Sequence, residues 1–248
     1  MTESHELRGK GAIVVGGAGA IGGAIAAGLV DIGMNVVMVD VVDTIEKVAQ
    51  ELGRGALAEV VGLQADVSDE QEVDRVFAET RRVLGNPYAL IHAAGVYPRK
   101  ALLDLEAREW DATQAVNLRS FFLCTRSAVR MMRDGGEGRI VGLASGLAVA
   151  PRTLSSAYVA SKAGLMAFVR AVATELVGEN VTINCLSPGL TESPMMRGAN
   201  SDEDVAASVA RSGRLPAKPS EILSPLMYLL SSDAKYVSGT TLWMRPPR

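Results

Sequence analysis

Between Gly11 and Val30 the chain runs twenty residues without a charge, about the length of a membrane-spanning helix. Its internal pattern argues for something else. Seven of the twenty are glycine, the stretch opens on the β-branched run Ile13-Val14-Val15, and apolar residues then recur at Ile21, Ile25 and Leu29. The β-branched run has the character of a buried strand, the later spacing that of a helix, and the glycines between them that of a tight turn. A chain that begins strand, turn, helix and continues in that way has few folds open to it.

The alternation does continue. Strands are predicted over 12–15, 35–40, 59–64, 88–93, 139–144, 181–186 and 241–244, and helices over 20–33, 44–52, 69–84, 105–133, 156–178 and 220–230. The strands are continuous apolar runs, the pattern of a parallel sheet covered on both faces. Right-handed crossovers then make it doubly wound. The fold class is α/β: a doubly wound parallel sheet of about seven strands, the Rossmann arrangement, with helices on both faces. No linker, charge block or internal repeat divides the 248 residues, so a single domain over 1–248 is expected.

Composition narrows the function classes. Net charge is −3, and no Lys/Arg cluster marks a nucleic-acid surface. His5 and His92 are too separated, and Cys124 and Cys185 too isolated, for a metal cluster, so no metal is expected. The acidic start Met-Thr-Glu-Ser-His-Glu lacks the basic and apolar regions of a signal peptide. A reduced, cytoplasmic protein without membrane association is the expectation.

In a doubly wound sheet the ligand sits beyond the carboxyl ends of the strands, where strand order reverses. The first strand ends in Gly16-Gly-Ala-Gly-Ala-Ile-Gly22, within which Gly17, Gly19 and Gly22 form a dinucleotide fingerprint. Glycines allow the backbone to approach a pyrophosphate, and the following helix supplies free N–H groups and its positive end. Asp40 closes the second strand, 18 residues after Gly22. Its carboxylate can accept hydrogen bonds from both hydroxyls of an adenosine ribose and would repel a 2′-phosphate. With Val41 and Val42 next, and no Arg or Lys in the glycine turn, NAD is preferred over NADP.

A second constellation lies in Ser155-Ser-Ala-Tyr-Val-Ala-Ser-Lys-Ala-Gly164, where Tyr158 and Lys162 stand four apart on one helix face. An ammonium beside a phenol favours the phenolate, which would bring Tyr158 toward the range of a useful acid or base.

These residues, with others in order along the chain, resemble the short-chain dehydrogenase/reductase family, and the resemblance runs from about Gly9 to Gly239. The family pattern is met by the glycine turn, Asp66-Val67, Ala93-Ala94-Gly95, Asn117, Ser145 placed 13 residues before Tyr158, and Pro188-Gly189. The resemblance implies that Tyr158 moves the proton to or from the substrate oxygen while Ser145 donates a hydrogen bond to that oxygen. Lys162 would depress the Tyr158 pKa and bind the nicotinamide ribose, and Asn117 would help position a water linking Lys162 to solvent. It implies an NAD site built from Gly16, Gly19, Ala20, Ile21, Gly22, Asp40, Asp66, Val67, Ala93, Ala94 and Gly95. Tyr158, Lys162, Pro188, Gly189, Thr191 and Ser193 complete that site, with Asp66 on the adenine edge and the Ser193 hydroxyl on the carboxamide.

The implied activity is NAD-dependent interconversion of a small secondary alcohol and its ketone. A 3-oxoacyl-thioester reductase is the alternative, against which Asp40 disfavours NADPH and Thr174-Glu175 stands where acyl-carrier reductases often place an arginine. A catalytically idle dinucleotide-binding module is a third reading, opposed by the intact set of Asn117, Ser145, Tyr158 and Lys162. Residues 190–215 are expected to form a mobile lid carrying Leu190, Met195 and Met196, over a pocket walled by Leu143, Leu147, Val149 and Met195. Arg99 and Arg152 lie in loops that could reach its mouth, with a solvated surface position favoured over anion recognition. The helices over 105–133 and 156–178 resemble the family's paired-helix dimer contact, usually doubled into a homotetramer.

The chain departs from the family pattern at Val15, Ala20, His92, Gly142, Ala144 and Ser193, where the family more often has Thr, Gly, Asn, Asn, Ser and Thr. It also ends in Leu242-Trp-Met-Arg-Pro-Pro-Arg248 in place of Val-Asp-Gly-Gly.

Overall fold

The computed structural model describes residues 6–244, so the expectations resting on residues 1–5, His5 among them, and on the end of the tail at 245–248 lie outside the described residues. Seven strands, β1 (Gly11–Val15), β2 (Asn35–Asp40), β3 (Val60–Gln64), β4 (Ala89–His92), β5 (Gly138–Leu143), β6 (Val181–Ser187) and β7 (Thr241–Trp243), form one sheet in the order β3-β2-β1-β4-β5-β6-β7. Every pair is parallel. The order reverses at β1, whose Val15 pairs with Val39 on one side and His92 on the other. That register brings Gly16, Asp40 and Ala93 to the same edge of the sheet.

Among the described residues the helices that follow the strands are α1 (Ala20–Asp31), α2 (Ile45–Gly53), α3 (Glu70–Leu84), α4 (Ala107–Gln114), α5 (Ser120–Gly135), α6 (Ser156–Glu175), α7 (Pro194–Ala199), α8 (Asp202–Ser212) and α9 (Leu223–Leu230). Side chains alternate across a strand, and β1 shows the result. Ile13 and Val15 join one buried core with Phe77 of α3, Phe121 of α5 and Leu165 of α6. Ala12 and Val14 join the other with Ile25 of α1, Ile45 of α2 and Leu226 of α9. Both faces of the sheet are therefore sealed by apolar helix faces, and each fully buried large aliphatic side chain contributes roughly 1.5–3 kcal/mol.

Three elements depart from the expected pattern, each for a local reason. Asp69 caps α3 instead of belonging to it, its carboxylate accepting from Gln71 N at 2.7 Å and Glu72 N at 3.1 Å. The single helix expected over 105–133 is interrupted by a π-helical turn, Ala115–Arg119, between α4 and α5. In the segment expected as a lid, α7 and α8 are helical, and α8 opens with a capping box in which Ser201 Oγ accepts from Asp204 N at 3.1 Å and Asp204 Oδ2 accepts from Ser201 N at 3.2 Å.

Two of the unusual residues compensate each other. His92 and Gly142 are register partners on β4 and β5. A Cβ on Gly142 would lie 2.8 Å from Phe121 Cζ, while the His92 ring meets the Phe121 ring edge-on at 5.4 Å. The larger ring at 92 and the missing side chain at 142 together leave room for Phe121. Cys124 and Cys185 are buried and unbridged. No helix among the described residues is long and apolar enough to cross a membrane.

Candidate active site

The glycine turn is tight enough that two of its residues can only be glycine. Gly16 has φ +80°, and a Cβ on it would fall 2.6 Å from Ala94 N. A Cβ on Gly22 would fall 2.0 Å from Gly16 O. The turn delivers the chain into α1 with Gly19 as a cap that has no side chain and with no acidic residue in the first turn. The first-turn amides of Ala20, Ile21 and Gly22 lack intrahelical acceptors, so the positive end of α1 opens onto the sheet edge. Asp40 is fixed beside it, with Oδ2 accepting from Ala18 N at 3.0 Å and Oδ1 from Val41 N at 2.8 Å. A cradle with no side chains, free amides at a helix start and one anchored carboxylate fit the pyrophosphate and ribose hydroxyls of a nicotinamide dinucleotide.

β5 ends at Leu143, and Ser145 two residues later accepts from Leu147 N at 3.3 Å, with its hydroxyl in hydrogen-bonding reach of the Tyr158 phenol. Tyr158 and Lys162 stand one turn apart on α6. Burial pushes the Tyr158 phenol above its ordinary value, with the Ser145 hydrogen bond acting in the opposite direction. Burial also pushes the Lys162 ammonium down to about 8. The expected lowering of Tyr158 by Lys162 is not what the structure shows. Lys162 Nζ lies 6.0 Å from the phenol ring centroid and donates to Leu143 O at 2.8 Å, so its charge is turned toward a carbonyl and desolvation outweighs it.

Asn117 sits in the π turn, fully buried. Its Oδ1 accepts from Val96 N at 2.8 Å, while Nδ2 donates to Val96 O and Ser161 Oγ, both at 2.9 Å. This side-chain amide clamps the β4–α4 connection. A Cβ on Gly95 would come 3.3 Å from Asn117 Oδ1 and 3.6 Å from Lys162 Nζ, so the three residues converge there.

One cleft of about 1110 Å³ brings most of the expected residues together. Its walls include Gly16, Gly19, Ala20, Ile21 and Gly22 from the turn, and Ala93 and Gly95 after β4. Ser145, Tyr158 and Lys162 line it from the β5–α6 side, and Pro188, Gly189, Thr191 and Ser193 from the segment after β6. Five residues do not line it. Asp40 stands behind Ala18, Ala94 backs Gly16, and Asn117 lies behind Gly95. Asp66 Oδ1 is engaged by Ser68 N at 2.9 Å and Ser68 Oγ at 2.7 Å, and Val67 is part of the core.

Of the expected pocket wall, Leu143, Leu147 and Met195 line the cleft, whereas Val149 is 57% exposed and does not. Arg99 and Arg152, expected as solvated surface, both line it. The lining also includes Tyr97, which no motif singles out, and Arg214 at the end of the 190–215 segment. Tyr97 stacks on Tyr158 with ring centroids 4.3 Å apart, and Arg214 comes from beyond α8. Position two past Ala93-Ala94-Gly95 was the only sequence signal for Tyr97. His92, held 2.9 Å from Ser120 Oγ, is kept neutral by burial and by the Lys162 charge, with its pKa pushed down to about 3. Among the described residues no group of three or more His, Cys, Asp or Glu could hold a metal ion.

The depressed Lys162 pKa has a consequence for stability. Between about 8 and the ordinary 10.5, the unfolded chain holds a proton that the folded one lacks, so this group's contribution rises with pH across that window and is most unfavourable below 8. Lys162→Met, without added cofactor, should therefore melt above the wild type at pH 7, with the gap narrowing as pH rises to 10.5. Paired melting curves over that range test this, and a gap independent of pH contradicts it.

A family model described as enoyl-(acyl carrier protein) reductase matches residues 16–244. A 2,3-dihydro-2,3-dihydroxybenzoate dehydrogenase of Bacillus subtilis is 33% identical over 244 residues, spanning 94% of this chain and 93% of its own. A dehydrogenase/reductase structure from Sinorhizobium meliloti has a TM-score of 0.90 at 31% identity, covering 98% of this chain and 96% of that one. A Beutenbergia cavernae structure described as an NAD(P)-dependent gluconate 5-dehydrogenase, with NADP bound at low occupancy, has a TM-score of 0.88 at 30% identity, covering 96% and 95%. With its fold, its glycine turn and these relatives along nearly its whole length, the chain belongs to the short-chain dehydrogenase/reductase family of oxidoreductases.

Proposed function

We propose that the protein interconverts a small secondary alcohol and its ketone with NAD, using Tyr158 as the proton-transferring group. The observation that carries this reading is one cleft holding Ser145, Tyr158 and Lys162 together with the side-chain-free turn at the start of α1. A nicotinamide dinucleotide, when bound, supplies or takes up the hydride at the substrate carbon. The chain's own residues do the rest. The α1 amides hold the pyrophosphate, Asp40 accepts from both ribose hydroxyls, and Thr191 and Ser193 offer hydroxyls to the carboxamide. Ser145 donates to the substrate oxygen and stabilises the charge that develops there. In reduction, a phenol with a raised pKa is already in its acid form at neutral pH. In oxidation it must lose its proton, which added positive charge in the site favours.

The Bacillus subtilis relative is named for dehydrogenating 2,3-dihydro-2,3-dihydroxybenzoate, in keeping with an alcohol substrate. The description of the matching family model favours an acyl thioester instead. Asp40 opposes the phosphorylated cofactor expected with that substrate, and the exposed Thr174 and Glu175 of α6 supply no cation for a carrier protein. Residues 190–215, which contribute Thr191, Met195 and Asn200 to the cleft, are proposed as its lid within the single domain.

Assembly as a homotetramer is part of the same proposal. Phe122 of α5 is 39% exposed and meets Phe168 of α6 edge-on at 6.2 Å, an aromatic pair suited to packing on a second copy. Light scattering at micromolar concentration should give a tetramer, and a stable monomer rules this out. For the chemistry, Tyr158→Phe should lower kcat at least about a hundredfold, the scale of general acid–base catalysis, with NAD affinity nearly unchanged. Steady-state kinetics on a panel of secondary alcohols, with a 3-oxoacyl thioester alongside, tests both points. Retention of most activity refutes the role given to Tyr158, and better turnover of the thioester refutes the substrate.

A further inference from the structure

The cleft changes character toward its mouth. Around Leu143, Leu147 and Met196 it is apolar, but the outer part carries Arg99, Arg152 and Arg214 against a single acidic side chain, Asp204. Arg99 is matched to that acid. Its Nη1 lies 2.7 Å from Asp204 Oδ2 and 2.8 Å from Ala199 O, and this bond holds the Asp204 carboxyl below its ordinary value.

Arg152 is not matched. It is half-buried, its one hydrogen bond goes to the neutral amide oxygen of Asn200 at 3.3 Å, and it forms no ion pair among the described residues. A guanidinium removed from part of its water and left without a carboxylate is costly to the fold and is characteristic of a site that awaits an anion.

Its position is also defined. Ser155, the cap of α6, donates from Oγ to Arg152 O and so ties this loop to the helix that carries Tyr158. Burial raises the Tyr97 phenol, and Arg99 and Arg152 both lie near enough to oppose that rise. The Tyr97 ring in turn stacks on Tyr158 at 4.3 Å. The guanidinium thus lines the same cleft as the proposed reacting phenol, with the Tyr97 ring in reach of both. The phosphate cradle at α1 belongs to a different element of the cleft.

Resting on the oxidoreductase reading above, we propose that Arg152 binds a carboxylate on the substrate, which makes the substrate a hydroxy acid and the product the corresponding keto acid. The planar fork of Arg pairs with a planar carboxylate through two parallel hydrogen bonds. In the reaction the Tyr158 phenol would first give up its proton to solvent; the carbinol C–H electron pair would then leave as hydride to the oxidised nicotinamide, the hydroxyl proton would pass to the Tyr158 phenolate, and the carboxylate would be unchanged. The carboxylate would displace the Asn200 amide oxygen from Arg152 or share the guanidinium with it.

The test compares hydroxy acids of varied hydroxyl-to-carboxylate spacing with their methyl esters, using wild type, Arg152→Ala and Arg152→Lys. Binding of unreactive cyclohexanecarboxylate in the presence of NAD is measured by calorimetry on the same proteins. The best acid should exceed its ester in kcat/KM by at least about tenfold, a ratio lost in Arg152→Ala and partly kept in Arg152→Lys, with cyclohexanecarboxylate binding weakened at least about tenfold in Arg152→Ala. Esters turned over as well as acids, or equal losses for both in Arg152→Ala, overturn the proposal and leave the oxidoreductase reading standing. A phosphate monoester preferred over every acid overturns it as well. If no alcohol of any kind is oxidised, the oxidoreductase reading fails, and calorimetry still decides whether Arg152 holds a carboxylate.

Discussion

No side chain can stand between Gly16 and Gly22, because a Cβ on Gly22 would be 2.0 Å from the carbonyl oxygen of Gly16. That contact lets α1 begin directly against the end of β1. From it follows the placement of the α1 amides at the sheet edge and of Ala18 N within 3.0 Å of Asp40 Oδ2. The parallel register then carries the same edge sideways, from Val39 through Val15 and His92 to Gly142, so that β1, β4, β5 and β6 each deliver the segment that follows them to one cleft. A turn with side chains would move α1 outward and break this alignment.

Within the cleft the opposing influences are burial and charge. Tyr158 and Lys162 are both resisted by desolvation in their charged forms, the phenol pushed up and the ammonium pushed down. The Lys162–Leu143 O bond at 2.8 Å and the Ser145–Tyr158 contact partly offset that cost. A proton is thus held on the phenol beside a lysine whose charged form burial also disfavours. The π turn contributes by placing Asn117 where its amide fixes the Val96 backbone, which keeps Gly95 close to Lys162.

The parts of this arrangement that were legible in the sequence are those fixed by neighbours along the chain. The glycine turn, Asp40 closing β2 and the pair on α6 are each set by spacing within one strand, turn or helix. The parts that were not legible depend on contacts between distant segments. The Arg99–Asp204 pair joins residues 105 apart, and the stacking of Tyr97 on Tyr158 depends on two loops meeting, so neither leaves a periodic trace. The start of α8 was legible, since Ser201 with an acid three residues later is the signature of a helix start. The π turn hides for a different reason: one extra residue in a helix shifts the apolar pattern too little to register in a segment as long as 105–133. Val149 lies close to Ser145 in the chain, but it follows the 3-10 turn Gly146–Ala148 and faces outward.

The central claim is that the cradle at the end of β1 and the carboxylate at the end of β2 form one dinucleotide site selective for the unphosphorylated ribose. Calorimetric titration of the protein with NAD and with NADP, at one salt concentration, tests it most directly. The account predicts that NAD binds at least about tenfold more tightly, a difference of about 1.4 kcal/mol or more. Equal affinities, or tighter binding of NADP, would contradict it.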